Sequence, residues 1–205
     1  EDHNSGIKHI RDKKIVSIGD PIKRFSEDPV RSLRAIRFSN KLKFKIDNKI
    51  KDAIYKQGHL LSHISNARLF DEFCKIFLNG IAEKNFKKLE SYGLIQYLIL
   101  TNPNGTIFSS ELIKEALRNT DKRFGENKSI TPGFLIAAML WPELIKRASK
   151  NDEINLRKFF RSMDQVLKNQ QNITAIPRKF HTYIKDIWIL QLKLHSRIGK
   201  QPYKT

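Results

Sequence analysis

The feature that most constrains the fold of this chain is a proline followed by arginines at helical spacing. Pro29 suits the first position of an α-helix, and Asp28 suits the cap before it. Three arginines then recur along one side at i, i+3 and i+6: Arg31, Arg34 and Arg37. Apolar residues border this row on both sides: Val30, Leu33 and Ile36 on one, Ala35, Phe38 and Leu42 on the other. We therefore expect the row to form the floor of a groove that accepts phosphates or a base.

The pair formed by Asp28 and Arg31 has the chemistry to recognise one edge of a nucleobase. Adenine presents an amino donor beside a ring-nitrogen acceptor, so a carboxylate can accept from the first while a guanidinium donates to the second. Guanine and uracil present the opposite pattern, whereas cytosine presents the same one. The pair therefore does not separate adenine from cytosine. Spacing alone also leaves a simpler alternative open, in which Asp28 only caps the helix and the arginines form surface salt bridges.

Further motifs surround this helix: Ile18-Gly19-Asp20-Pro21, Arg24-Phe25, the run from Glu27 to Phe38, and Lys41-Leu42-Lys43-Phe44. Together they closely resemble the neck of the class II nucleotidyltransferases, the family of bacterial poly(A) polymerases and CCA-adding tRNA nucleotidyltransferases. The resemblance implies that Asp28 and Arg31 face the base and that Glu27 orients them. It implies that Arg34 and Arg37 help to hold the nucleotide. ATP as substrate and Mg²⁺ as cofactor are implied in the same way.

Three later segments resemble the poly(A) polymerases within that family. They are the run from Ile64 to Phe77, the apolar run from Phe134 to Leu144, and a C-terminal set with Ile176-Pro177-Arg178, Asp186-Ile187-Trp188 and Arg197-x-Gly199-Lys200. The resemblance implies adenylate addition to RNA 3′ ends. CCA addition and a non-catalytic RNA-binding module remain as alternatives.

The motifs of the family's catalytic head do not occur in this sequence. That head carries a Gly-Ser pair and an Asp-x-Asp pair for two metal ions, and the 205 residues contain neither. We expect the chain to follow such a head in a longer enzyme, to hold no metal site of its own, and to be inactive alone.

The charge of the chain favours a polyanionic partner. The formal net charge is +18, and the last 60 residues carry 14 Lys and Arg against 4 Asp and Glu. A solubilising surface or a genome-wide lysine bias would give a similar excess. The predicted RNA contacts lie near the ends of the last helix: Arg178, Lys179, Arg197 and Lys200. Trp188 has helical spacing with apolar neighbours, which predicts a core position.

Apolar residues at helical spacing predict an all-α protein, and the resemblance implies an elongated helical neck and body. We assign residues 1–25 to the end of a head–neck linker, 26–63 to the nucleotide-selecting neck, 64–150 to the body and 151–205 to a basic RNA-binding region. Arg68 and Glu72, at i, i+4, are predicted to form an ion pair that braces neck against body. The single cysteine, Cys74, excludes an internal disulfide and favours a reducing compartment such as the cytoplasm. No stretch reaches the roughly 20 apolar residues that span a bilayer, so we expect no membrane contact.

Overall fold

The computed structural model describes residues 5–103, 105, 111–150 and 153–198. The described part contains α1 (Gly6–Arg11), α2 (Pro21–Glu27), α3 (Val30–Leu42), α4 (Asn48–Gln57), α5 (Asn66–Phe77), α6 (Ala82–Ser91), α7 (Glu111–Gly125), α8 (Pro132–Ala148), α9 (Leu156–Gln171) and α10 (Arg178–Ile198). Two 3₁₀ helices span Gly58–His63 and Ile95–Tyr97. The prediction of an all-α fold is confirmed.

The described residues also form four strands of two residues each, which are too short to leave a pattern in the sequence. The parallel pair joins β1 (Lys14–Ile15) to β2 (Lys45–Ile46), and the antiparallel pair joins β3 (Ser149–Lys150) to β4 (Glu153–Ile154). The first pair is extended by backbone hydrogen bonds from Lys45 N to Lys13 O (2.8 Å) and from Asp47 N to Ile15 O (3.1 Å). The segment before α2 is thereby held against the end of α3.

Side-chain caps start several helices where the sequence has short polar residues. Asp20 accepts hydrogen bonds from the backbone N–H groups of Ile22 and Lys23, and Pro21 occupies the first turn of α2. Ser65, Thr131 and Asn155 cap α5, α8 and α9 in the same way. The sequence pattern predicts a helix from Glu153 to Leu167, but Glu153 belongs to β4 and the helix begins after Asn155. The sequence pattern also predicts a helix from Ser109 to Asn119 with a serine cap; α7 runs to Gly125, and the predicted cap lies outside the described residues.

A hydrophobic core extends from Phe25 in α2 to Trp188 in α10. Helix α8 contributes an uninterrupted buried run from residue 135 to residue 141 and packs against α7, α9 and α10. Trp188 is fully buried, and its indole N–H donates to the Ala137 carbonyl at 2.9 Å. Its predicted core position is confirmed. The predicted domain boundaries stay predictions. None of the described helices is both long enough and apolar enough to cross a bilayer.

Candidate functional site

Asp28 lies between α2 and α3, where its side chain does not cap a helix. Helix α3 begins at Val30 after Pro29, which has no side-chain cap hydrogen bond. Asp28 instead ends α2, and its backbone N–H donates to the Arg24 carbonyl at 3.1 Å. The predicted cap is therefore wrong, because Pro29 itself occupies the cap position. The Asp28 carboxylate is left available for cations.

Three arginines surround the Asp28 carboxylate. Arg68 Nη2, from α5, lies 2.8 Å from Asp28 Oδ1, a charge-assisted hydrogen bond. Arg31 Nε and Arg34 Nη1 each lie 3.9 Å from Asp28 Oδ2. The arginine side chains are 39–45% exposed, against 19% for Asp28. One oxygen is thus fixed by a close partner, while the other faces two cations beyond hydrogen-bond distance.

The predicted ion pair between Arg68 and Glu72 is wrong. Arg68 donates to Asp28, while Glu72 Oε1 lies 3.0 Å from Lys75 Nζ and 3.5 Å from Arg34 Nη2. Glu72 is 1% exposed, and among the described residues its Oε2 has no hydrogen-bond partner. Arg34 therefore connects both acids, since it contacts Asp28 with one nitrogen and Glu72 with another. The predicted contact between the segments assigned to neck and body is therefore made by other pairs, Arg68 with Asp28 and Arg34 with Glu72.

A pocket of about 340 Å³ lies beside this cluster, between the segment that follows β1 and helices α2 and α3. Its basic lining consists of Arg24, Arg31 and Arg34. The rest of its wall is largely apolar: Ile15, Val16, Ile18, Phe25, Ala35, Phe38 and Ile50, with Ser17. Two of the three arginines in the predicted row thus border a groove with apolar walls.

Glu27 and Arg37 lie away from this arrangement. Glu27 Oε2 accepts a hydrogen bond from Arg24 Nη1 at 3.2 Å, and among the described residues its carboxylate forms no ion pair with Arg31. The Arg37 guanidinium carbon lies 4.4 Å from the centroid of the Phe38 ring, and Arg37 Nε is buried without a hydrogen-bond partner in the described part of the chain. Their roles in nucleotide binding remain predictions.

The predicted C-terminal RNA contacts are only partly within the described residues. Arg178 and Lys179 lie in the first turn of α10 and are exposed. Lys179 Nζ lies 5.2 Å from the centroid of the Phe180 ring. The side chain of Arg197 and all of Lys200 lie outside the described residues. Two of the four predicted contacts are therefore accessible on one helix end.

Sequence reasoning missed a basic pocket of about 360 Å³, which we call the lysine pocket. Four lysines line it: Lys14, Lys45, Lys51 and Lys88. They come from β1, β2, α4 and α6, so no local motif contains them. The density of lysine between residues 41 and 51 makes that stretch an alternative RNA site in the sequence, but it does not indicate the contributions of Lys14 and Lys88.

Two family models match the chain. Residues 43–103 match the probable RNA and SrmB-binding site of polymerase A. Residues 152–205 match the arginine-rich C-terminus of polymerase A. The lysines of β2, α4 and α6 fall within the first of these segments.

Poly(A) polymerase I of Escherichia coli O6:H1 is 37% identical to this chain over 212 residues, which cover 99% of the chain and 46% of that protein. A CCA-adding enzyme of Anoxybacillus flavithermus is 37% identical over 109 residues, 53% of this chain and 26% of that protein. A solved tRNA-processing enzyme (apo form 2) aligns with a TM-score of 0.61 at 18% identity, over 97% of this chain and 53% of that one, which shows a shared fold. The chain spans about half the length of the curated poly(A) polymerases it matches. The chain belongs to the bacterial poly(A) polymerase I family over the region that it spans.

Proposed function

We propose that this chain supplies nucleotide selection and RNA binding to an enzyme that adds adenylate from ATP to RNA 3′ ends. The observation that carries the proposal is the geometry around Asp28. A carboxylate and the Arg31 guanidinium lie side by side at 3.9 Å, next to a pocket with basic and apolar walls. The relatives that match nearly the whole chain support the same function.

The separation of Asp28 and Arg31 leaves both groups able to bind a base. At 3.9 Å, Arg31 Nε and Asp28 Oδ2 are too far apart for a hydrogen bond. Asp28 Oδ2 can therefore accept from the adenine amino group while Arg31 donates to the adjacent ring nitrogen. Guanine and uracil would place a carbonyl oxygen against the carboxylate and an N–H against the guanidinium. Both mismatches leave polar groups unpaired, which disfavours binding.

Arg68 acts as a positioning residue in this scheme. It holds Asp28 Oδ1 at 2.8 Å from the opposite side, so Oδ2 remains directed at Arg31 and Arg34. A base can then reach Oδ2 without displacing Arg68. Because Arg34 also contacts Glu72, the position of the arginine side chains of α3 depends on α5 as well.

The metal-dependent step belongs, in this proposal, to residues that this sequence does not contain. The chain has no Gly-Ser pair and no Asp-x-Asp pair. In the described residues no group of three or more His, Cys, Asp or Glu side chains could hold a metal ion. Asp28 and Glu72 do not fit such a role, because arginine or lysine side chains hold Asp28 Oδ1 and Glu72 Oε1 and place positive charge beside both carboxylates. Mg²⁺ would supply charge stabilisation for phosphoryl transfer in the enzyme's catalytic head.

CCA addition is the second candidate. It is supported by the CCA-adding relative that matches 53% of the chain, and by the identical hydrogen-bonding pattern of cytosine and adenine. The Asp28–Arg31 pair serves either reaction.

Primer extension distinguishes these functions. The enzyme that contains these residues together with a catalytic head would be supplied with an RNA primer and each nucleoside triphosphate separately. Long tails with ATP alone are the expected result. Addition limited to a few C and A residues would support the second candidate. Equal use of all four nucleotides would overturn base selection by the Asp28–Arg31 pair. The 205-residue chain alone should incorporate no nucleotide.

A further inference from the structure

The lysine pocket is separate from the pocket of about 340 Å³ lined by Arg24, Arg31 and Arg34, which we call the arginine groove. Apart from its four lysines, it is lined by Ile46, Asp47, Asn48 and Tyr92. The arginine groove shares none of these residues. The two sites therefore have separate linings, although adjacent residues of β1 and α4 contribute to each.

The short parallel sheet brings two of the lysines together. Lys14 and Lys45 are paired in the register of β1 and β2, which places their backbones on adjacent strands. Helix α4 adds Lys51 and helix α6 adds Lys88. Like charges on paired strand positions repel each other. A cluster of this kind becomes more favourable when an anion lies between the ammonium groups.

None of the four lysines has an acidic ion-pair partner among the described residues. Lys51 Nζ donates to Asn48 Oδ1 at 3.2 Å. Lys88 Nζ donates to Ser39 Oγ at 2.7 Å and lies 3.4 Å from Asn40 Oδ1. The one acid that lines the pocket, Asp47, uses its Oδ1 to cap α4 by accepting from Lys49 N at 2.9 Å. The pocket therefore has an excess of positive charge.

The side chain of Lys88 is partly buried although no acidic group among the described residues pairs with its ammonium group. Burial and the nearby charge of Lys51 lower the pKa of Lys88 from its ordinary value. Both effects make the charged form less favourable in the free protein. A bound anion would offset the second effect directly.

We propose that the lysine pocket binds a backbone phosphate of the RNA. The inference rests on the RNA-binding function proposed above and specifies one site for it. Tyr92 lines the pocket, and its ring lies 5.3 Å from that of Tyr55, which is 65% exposed. An exposed aromatic ring beside a phosphate site suits a single strand, whose unpaired bases can stack on it. A free nucleotide would provide the same phosphate chemistry, so the experiment must separate the two sources.

The test measures binding of a fluorescent single-stranded oligo(A) of about 20 nucleotides to the 205-residue chain by anisotropy. The variant Lys45→Ala/Lys51→Ala removes two pocket lysines. The control Lys49→Ala/Lys56→Ala removes the same charge from exposed positions of α4 that do not line the pocket. Each lost phosphate contact on a single strand reduces the salt slope by about 0.7. The pocket variant should thus show a slope reduced by about 1.4 and binding about 25-fold weaker at about 0.1 M salt.

The control variant should keep the slope of the parent chain. Equal losses in the two variants would overturn the pocket and leave RNA binding in place as a general charge effect. Absence of RNA binding by the parent chain would overturn the pocket and the proposed RNA-binding function together. A pocket variant that loses ATP binding but keeps RNA binding would assign the phosphate to the nucleotide and overturn the RNA site. Circular dichroism checks folding, and the single change Lys45→Ala, at an exposed residue, repeats the test if the double variant unfolds.

Discussion

Replacing Arg68 tests whether the tertiary contact to Asp28 controls nucleotide choice. Arg68→Ala removes the 2.8 Å hydrogen bond to Asp28 Oδ1 and leaves a carboxylate that is only 19% exposed. Loss of a hydrogen bond to a charged group costs about 1.5–3 kcal/mol. Because the Arg68 side chain is 44% exposed, solvent screening lowers the expected loss in the free energy of unfolding to about 1–2 kcal/mol.

The same change should reduce nucleotide discrimination. Without Arg68, the Asp28 carboxylate can turn towards Arg31 and Arg34, whose nitrogens lie 3.9 Å away, and satisfy them directly. The base would then have to displace those contacts. We expect the ratio of kcat/KM for ATP over GTP in the head-containing enzyme to fall about tenfold, which corresponds to about 1.4 kcal/mol.

Two variants provide the comparison. Lys75→Ala removes a cation from the same helix, but its partner is Glu72 at 3.0 Å, so the ATP-to-GTP ratio should be unchanged. Arg68→Lys keeps the charge and should recover part of the ratio, since lysine donates without the fork of arginine. Urea unfolding of the 205-residue chain measures the stability loss separately. An unchanged ratio in Arg68→Ala, with stability reduced, would show that Arg68 is only a structural brace and refute the positioning role.

Three further predictions concern other parts of the chain. In the head-containing enzyme, Arg31→Ala and Asp28→Ala should each lower kcat/KM for ATP and weaken base discrimination by about 1–3 kcal/mol, measured by single-nucleotide kinetics, and unchanged ATP selection in both would contradict base recognition by this pair. Reversing the charge of Arg178 and Lys179 should weaken binding of single-stranded RNA and reduce the salt slope by about 1.4 if both contact phosphates, while a steady slope would place the contacts elsewhere. Burial and, to a smaller extent, the nearby carboxylate of Asp71 raise the pKa of the Cys74 thiol to about 11. The folded chain should therefore resist alkylation by iodoacetamide at neutral pH, whereas the chain unfolded in urea should react readily. The folded thiol keeps its proton to a higher pH than the unfolded one, so its contribution to stability should fall as the pH rises from about 9 towards 11. Cys74→Ala should therefore make the loss of stability over this range smaller than in the parent chain, in a pH series of urea melts.

The sequence determined the helical character of this protein through interactions between near neighbours. Capping residues and apolar spacing operate within one or two turns, so they predicted the all-α fold and the helix that follows Pro29, although the start of α9 was misplaced by a few residues. Trp188 was assigned to the core for the same reason, because its apolar neighbours recur at helical spacing. The motifs around α3 also sufficed to indicate the family.

Two identical Asp-Pro dipeptides show that local sequence does not determine which group an aspartate binds. Asp20-Pro21 caps and starts α2, with the Asp20 carboxylate bound to backbone N–H groups. Asp28-Pro29 has the same sequence, yet Asp28 binds Arg68, which lies 40 residues away along the chain. Asp28 binds a side chain and not a backbone N–H group because the packing of α5 places Arg68 beside it.

The charge clusters were likewise decided by the tertiary structure. Glu72 is paired with Lys75 on its own helix and with Arg34 from α3, and the second contact required α3 and α5 to pack together. The lysine pocket draws its four side chains from four separate elements. Electrostatic interactions act between any groups that are close in space, so their partners follow from packing, whereas helices follow from spacing along the chain.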